Sequence, residues 1–177
     1  GTPVIFHARP TATLVALDTA ICQGQPLTLR VNLTGSAPIA FRGRNNGTLV
    51  PKISNLNTGT YNWAFSLTQN AVITLDSVSD RYCPLGQVMG TANVKVFQRP
   101  AVGNITENCD FDKGTYTLTF DVTTGVPPFV VTGITGAFTG RQFLSDPIPF
   151  GTPYNLVLRD SANCGTAALN GAGICRC

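Results

Sequence analysis

Between residues 27 and 33 the chain alternates without a break: Leu27, Leu29, Val31 and Leu33 are apolar, and Thr28, Arg30 and Asn32 between them are polar. A period of two sends the apolar set to one face of an extended strand and the polar set to the other, the mark of a strand buried on one side. Tyr116, Leu118, Phe120 and Val122 repeat the pattern, with Thr117, Thr119 and Asp121 between them. Following the alternation and its Gly, Pro and Asn punctuation predicts strands near 11–17, 26–33, 38–44, 48–53, 61–67, 71–79 and 91–97. A second series is predicted near 102–106, 115–123, 128–133, 142–145, 153–159 and 171–177. No stretch of helical period is long enough to predict a helix, and no apolar run approaches the ~20 residues of a membrane span.

The two series are one pattern stated twice. Val4-Ile5-Phe6-His7-Ala8-Arg9-Pro10 returns as Val94-Lys95-Val96-Phe97-Gln98-Arg99-Pro100. After each Arg-Pro come a strand and a cysteine, Cys22 or Cys109, and then the alternating run. Both runs end in a Gly/Pro turn, Thr34-Gly35-Ser36-Ala37-Pro38-Ile39 and Thr124-Gly125-Val126-Pro127-Pro128-Phe129. Later a strand closes on Asp80 or Asp160 just before a second cysteine, Cys83 or Cys164, and seven residues on stands Gly90 or Gly171, read as opening the final strand. Landmarks in one order identify an internal repeat. About seven short strands per copy, with turn residues between, predict an all-β chain of two tandem immunoglobulin-like β-sandwich modules. The expected organisation is module 1 over 10–99 and module 2 over 100–177, with 1–9 the last strand of a preceding module.

Composition agrees with strands. Thr, Asn, Gly, Val and Leu dominate, while Glu107 is the only glutamate. Charged residues make up 12% of the 177 and the net charge is +3, with Arg42 and Arg44 the nearest thing to a basic patch, so nucleic acid is not an expected partner. The chain carries no signal-peptide pattern, as a mature or excerpted sequence would not.

Six cysteines with one histidine, His7, do not match zinc spacing, and Cys175-Arg176-Cys177 is too tight for it. Disulfides in an oxidising, extracellular setting are the better reading of Cys22, Cys83, Cys109, Cys164, Cys175 and Cys177. Intramodule pairs Cys22–Cys83 and Cys109–Cys164 are the economical choice. Yet a strand of eight residues spans roughly 27 Å, and a disulfide needs Cα atoms about 5–6 Å apart. A Greek key puts those loops at opposite ends, so either the first cysteine folds inward early or the bonds link neighbouring modules end to end. Cys175 and Cys177 align with Val94 and Val96 and are expected to face inward on the last strand. Cys164–Cys175 is then a rival, leaving Cys177 for Cys109 or for a module beyond. Each bond would stabilise by about 2–4 kcal/mol.

Ile21-Cys22-Gln23-Gly24-Gln25, Leu33-Thr34-Gly35 and Asp76-Ser77-Val78-Ser79-Asp80 resemble Ig-like repeats of very large Bacteroidota surface proteins. Gly125-Val126-Pro127-Pro128-Phe129, Tyr154 to Asp160, and Gly171 to Cys177 look like a second repeat class of the same proteins. Those are gliding-motility adhesins and related filaments exported by type IX secretion. The resemblance covers nearly the whole chain and rests on framework residues, with one departure, Ile73 where the family often has Tyr. It implies a stalk or adhesive role, no cofactor, and no catalytic residues to carry over.

The candidate chemistry is sparse. Asp110 and Asp112 flank Phe111 in a turn, too few oxygens for the six to eight that calcium takes. Asp80 and Asp160 read as turn caps. His7 has no nucleophile to activate. Asn32-Leu33-Thr34, Asn46-Gly47-Thr48 and Asn104-Ile105-Thr106 fit a glycosylation pattern, but Asn46-Gly47 is first a hairpin turn. Tyr61 and Trp63 share a strand face and are candidates to stack on a sugar, against the plainer reading that they pack. The expected function is a structural or adhesive repeat segment of a long extracellular, cell-surface bacterial protein or filament, without catalysis. Its partners would be neighbouring modules, other copies by strand addition, and surface polysaccharide. A carbohydrate-binding module of a secreted protein is the alternative, and a receptor ectodomain with occupied glycan sites a third.

Overall fold

A computed structural model describes residues 3, 5–15 and 18–175. Among them every regular element is a strand, and the chain divides into two compact units, 1–96 and 97–177. The expected join at 99/100 and the observed one fall on either side of Gln98.

Unit 1 holds β1 (Thr11–Val15), β2 (Thr19–Cys22), β3 (Pro26–Thr34), β4 (Ile39–Asn45), β5 (Thr48–Leu49), β6 (Ile53–Leu56), β7 (Gly59–Ser66), β8 (Ala71–Ser79), β9 (Gln87–Met89) and β10 (Thr91–Phe97). One sheet runs β7-β3-β1-β9 and the other β2-β10-β8-β4-β5, with β6 also on β4. The alternation of β3 is realised residue by residue: Leu27, Leu29, Val31 and Leu33 are buried and their neighbours exposed. They meet Ile39, Phe41, Ile73, Leu75, Val78, Ala92 and Val94 from the facing sheet. Each large apolar side chain so buried contributes about 1.5–3 kcal/mol. In β8 the inward parity jumps from Leu75 to Val78, because the register against β4 shifts between Arg42↔Ser77 and Gly43↔Leu75. Asp76 is the extra residue of this bulge, and its carboxylate turns out to accept Nε of Arg44 at 2.8 Å.

Unit 2 holds β11 (Ala101–Asp110), β12 (Thr115–Thr124), β13 (Val130–Thr132), β14 (Gly136–Thr139), β15 (Gln142–Ser145), β16 (Ile148–Pro149), β17 (Tyr154–Arg159) and β18 (Thr166–Gly171). Its sheets are β11-β12-β15-β14, with β16 on β12, and β13-β17-β18. Tyr116, Leu118, Phe120 and Val122 point inward from β12 and meet Phe129, Phe143, Leu156, Leu158 and Leu169. Phe120 and Phe143 stack with ring centroids 5.0 Å apart.

Several elements depart from expectation. Residues 5–10, expected as the last strand of a preceding module, form no strand. The first strand of unit 1 is two pieces in different sheets, β1 on β3 and β2 on β10. The last is also two: β9 runs parallel to β1, and after Gly90 (φ +97°) β10 pairs with β8. In unit 2 the final strand is 166–171 and not 171–177. Pairing Arg159↔Thr166 to Tyr154↔Gly171 uses all six residues of β17, so the strand ends at Gly171, where a Cβ would meet the Tyr154 ring. Cys175 therefore lies past the strand on which it was expected, and Cys177 falls outside the described residues.

Candidate functional site

The same constellation stands at the pole of each unit where the Arg-Pro segment arrives. In unit 1 the buried Pro10 faces Gly35 (φ +135°), where a Cβ would meet Pro10 Cβ and Asp80 Oδ2, each at 2.9 Å. In unit 2 Gly125 (φ +101°) sits between Pro100 Cα and Asp160 Oδ2, each 3.1 Å from a built Cβ. Only glycine fits such a gap at positive φ. Asp80 Oδ2 accepts the Ser36 N–H at 2.8 Å, and Asp160 Oδ2 accepts the Val126 N–H at 2.9 Å. Each loop returns the bond through the backbone: Arg81 N–H donates to Ser36 O at 3.2 Å and Ser161 N–H to Val126 O at 3.0 Å. Each turn also carries a cis proline bond, Ala37-Pro38 or Pro127-Pro128. The equivalent aspartates thus tie the turn after the second long strand to the loop after the penultimate one.

The two locks differ in one respect. Asp80 Oδ1 accepts two more N–H groups, of Tyr82 at 2.9 Å and Cys83 at 2.7 Å. These bonds, that from Ser36 foremost, hold its carboxyl below the usual 3.8. Asp160 is 5% exposed and its Oδ1 has no hydrogen-bond partner among the described residues.

The cysteines correct the economical pairing. Cys109 is bonded to Cys175, with Cα atoms 6.0 Å apart, and not to Cys164. Cys22 and Cys164 are each disulfide-bonded, and Cys83 is a half-buried free thiol. Cys22 and Cys83 cannot meet because they lie at opposite ends of unit 1. Gly24 N–H bonds Leu67 O at 3.3 Å at one end, while Cys83 Sγ lies 4.0 Å from Ala8 O at the other. The nine residues of β3 separate them.

Trp63 is 5% exposed and belongs to the core, its ring 5.3 Å from Phe41 and edge-on to it. The register Leu29↔Trp63 and Val31↔Tyr61 turns both aromatics inward with the apolar face of β3. Tyr61 is half-buried against Phe41, centroids 5.6 Å apart. Trp63 is thus a packing residue, while Tyr61 keeps part of its surface open. Asp110 is held by Lys113, through its N–H at 3.1 Å and its Nζ at 3.0 Å. Among the described residues no group of three or more His, Cys, Asp or Glu is placed to hold a metal. His7 stacks on Tyr82 at 3.7 Å and 11°. Asn46 (φ +47°) and Gly47 (φ +80°) make the two-residue turn between β4 and β5, and Asn46 Oδ1 accepts the Val72 N–H at 2.7 Å. Both units carry open grooves, among them one of about 410 Å³ lined by Val50, Ile53, Tyr61, Trp63 and Phe65. One of about 580 Å³ in unit 1 is lined by Asp18, Asn46, Asn70 and Asn93; one of about 750 Å³ in unit 2 is lined by Val131, Ile134, Ile148 and Tyr154.

The fold defines a class: an all-β chain of two tandem Ig-like sandwiches. Known structures of that class match it. An I-band fragment of titin superposes with TM-score 0.59 at 15% identity, over 92% of this chain and 64% of that one. The N-terminal eight Ig domains of Down Syndrome Cell Adhesion Molecule superpose with TM-score 0.57 at 14% identity, over 94% of this chain and 27% of that one. The chain thus spans less than two thirds of either, and at these identities the likeness is one of fold. No protein-family model matches the sequence, and no curated protein matches it. Among the described residues no helix is long and apolar enough to cross a membrane.

Proposed function

We propose that this chain is a structural or adhesive repeat segment of a long extracellular bacterial surface protein or filament, and that it performs no catalysis. The observation that carries the reading is the twice-built lock of proline, glycine and aspartate where each Arg-Pro segment joins its unit. Duplication of a joint, down to the Ser36/Arg81 and Val126/Ser161 bonds, is what a tandem array requires and what a solitary binding domain does not. The disulfides belong to an oxidising compartment. The sequence resemblance to gliding-motility adhesins and type IX secreted repeat proteins supports a Bacteroidota cell surface as its setting. Neighbouring modules of the same chain are its first partners. Surface polysaccharide would have to be met elsewhere than on Trp63, which is in the core.

Mass spectrometry of peptides shaved from intact cells tests this. Peptides of this sequence should come from a surface polypeptide of many similar modules; recovery of a free secreted product of about this length would refute the reading.

A further inference from the structure

We infer that Cys83 is one half of a disulfide to the Ig-like module ahead of unit 1, whose other half is a cysteine in that module's first turn, the counterpart of Cys22. The inference rests on the array reading above and names the partner at one joint. Three independent observations lead to it.

First, the two units can be compared position by position at the lock, and there the second unit's cysteine is bonded. Cys83 and Cys164 each follow the lock aspartate, within a few residues of Asp80 and Asp160. In both, the segment before the proline runs across this loop. His7 stacks on Tyr82 at 3.7 Å and Ala8 O lies 4.0 Å from Cys83 Sγ; the Arg99 side chain lies over Gly165, 3.2 Å from a built Cβ. Cys164 is disulfide-bonded, while Cys109 and Cys175 of its own unit are bonded to each other. Cys83, in the same place, is free.

Second, the surface around Cys83 is built to be covered. Phe6 is 90% exposed, Ile5 72%, Leu85 74% and Tyr82 50%. By the internal repeat Phe6 corresponds to Val96, which packs against the core of unit 1 from β10. Phe6 thus occupies a core position in a strand sequence whose core is elsewhere, and the module ahead is the occupant that this equivalence specifies.

Third, unit 1 shows where such a module would carry its cysteine. Cys22 lies in the turn before β3, and Gly24 of that turn bonds Leu67 O at 3.3 Å. Asn70, three residues on, accepts the Val96 N–H on its side chain at 2.8 Å, where β10 leaves the unit. The first-turn cysteine therefore sits at the end from which the chain departs for the next joint. A module of this design ahead of residue 9 brings its counterpart of Cys22 to the side of Cys83.

The step is an oxidation. Two thiols lose two protons and two electrons, one S–S bond forms, and the acceptor is a second disulfide, of oxidised glutathione or a thiol oxidoreductase, reduced to its two thiols.

The experiment uses the native full-length polypeptide, alkylated before lysis, digested without reduction and mapped by mass spectrometry. The Cys83 peptide should appear joined to a cysteine peptide from outside residues 1–177, and Cys83→Ser should remove that species and raise proteolysis at residues 5–9. Recovery of Cys83 alkylated, or joined to Cys177 or any other cysteine of this stretch, would overturn the inference. A many-module polypeptide with alkylated Cys83 rejects the bond and keeps the array; a polypeptide of this length alone rejects the array itself.

Discussion

The carboxylate of Asp80 accepts the backbone N–H of Ser36, 44 residues earlier in the chain, at 2.8 Å. That bond and its backbone return fix one loop against another, and they set a pH dependence. The carboxyl is held below its usual value of 3.8, first by the Ser36 N–H and then by those of Cys83 and Tyr82. A folded-state value lower than the unfolded one stabilises the fold fully above the unfolded value. The benefit is lost as pH falls through the lowered value. The melting-temperature difference between the parent and Asp80→Asn should be largest near neutrality and shrink below about pH 4. A difference that stays constant into acid would contradict this.

Asp160 tests the same joint in unit 2 without the additional bonds. Asp160→Ala leaves the Val126 N–H without its partner in a buried site, a loss of about 1–3 kcal/mol. Calorimetry should show the unit 2 transition lowered and that of unit 1 unmoved. Equal lowering of both would mean that the lock is not local to its unit.

Trp63 is the only tryptophan, so its fluorescence reports unit 1 alone. Native emission should be blue-shifted and poorly quenched by acrylamide, as befits 5% exposure. Trp63→Ala should cost about 3–5 kcal/mol. Gly43→Ala drives a methyl into the Trp63 ring and Thr74 O, and should cost about 1–3 kcal/mol. Ready quenching in the native state would place the ring at the surface and revive a stacking role.

Removing the Cys109–Cys175 bond opens a loop closed over a separation of 66 residues. The chain-entropy account puts that at about 4 kcal/mol. Urea titration of Cys109→Ala/Cys175→Ala should lower the midpoint of unit 2, while the Trp63 signal from unit 1 keeps its own. An unchanged unit 2 midpoint would count against the bond as a stabilising element.

What was legible in the sequence is what depends on neighbours along the chain. The alternation of Leu27 to Leu33 and of Tyr116 to Val122 names the inward face, and Asn46-Gly47 names its hairpin. Residues whose role depends on a distant partner were not legible. Asp80 caps its own turn as it reads, through the Tyr82 and Cys83 N–H groups, but the bonds that Asp80 and Asp160 accept from Ser36 and Val126 come from another loop. Trp63 reads in the sequence as available to a ligand, and its register with Leu29 turns it inward. Gly171 reads as the start of a strand that would hold Cys175; the six-residue reach of β17 makes it an end. The parallel pairing of β9 with β1 left no trace in hydrophobic pattern, since three residues carry no period.

The bond between Cys109 and Cys175 also decides what a pull on unit 2 can reach. Tension along the chain enters at one sulfur and leaves at the other, across Cα atoms 6.0 Å apart. The strands β12 to β18 then lie off the load path. Roughly 230 Å of contour, 66 residues at ~3.5 Å each, is withheld from extension until the covalent bond itself is reduced. Under traction the stretch between the two sulfurs keeps a fixed length whose give is set by redox chemistry, and hydrogen bonds decide only how readily β11 ahead of Cys109 peels from β12.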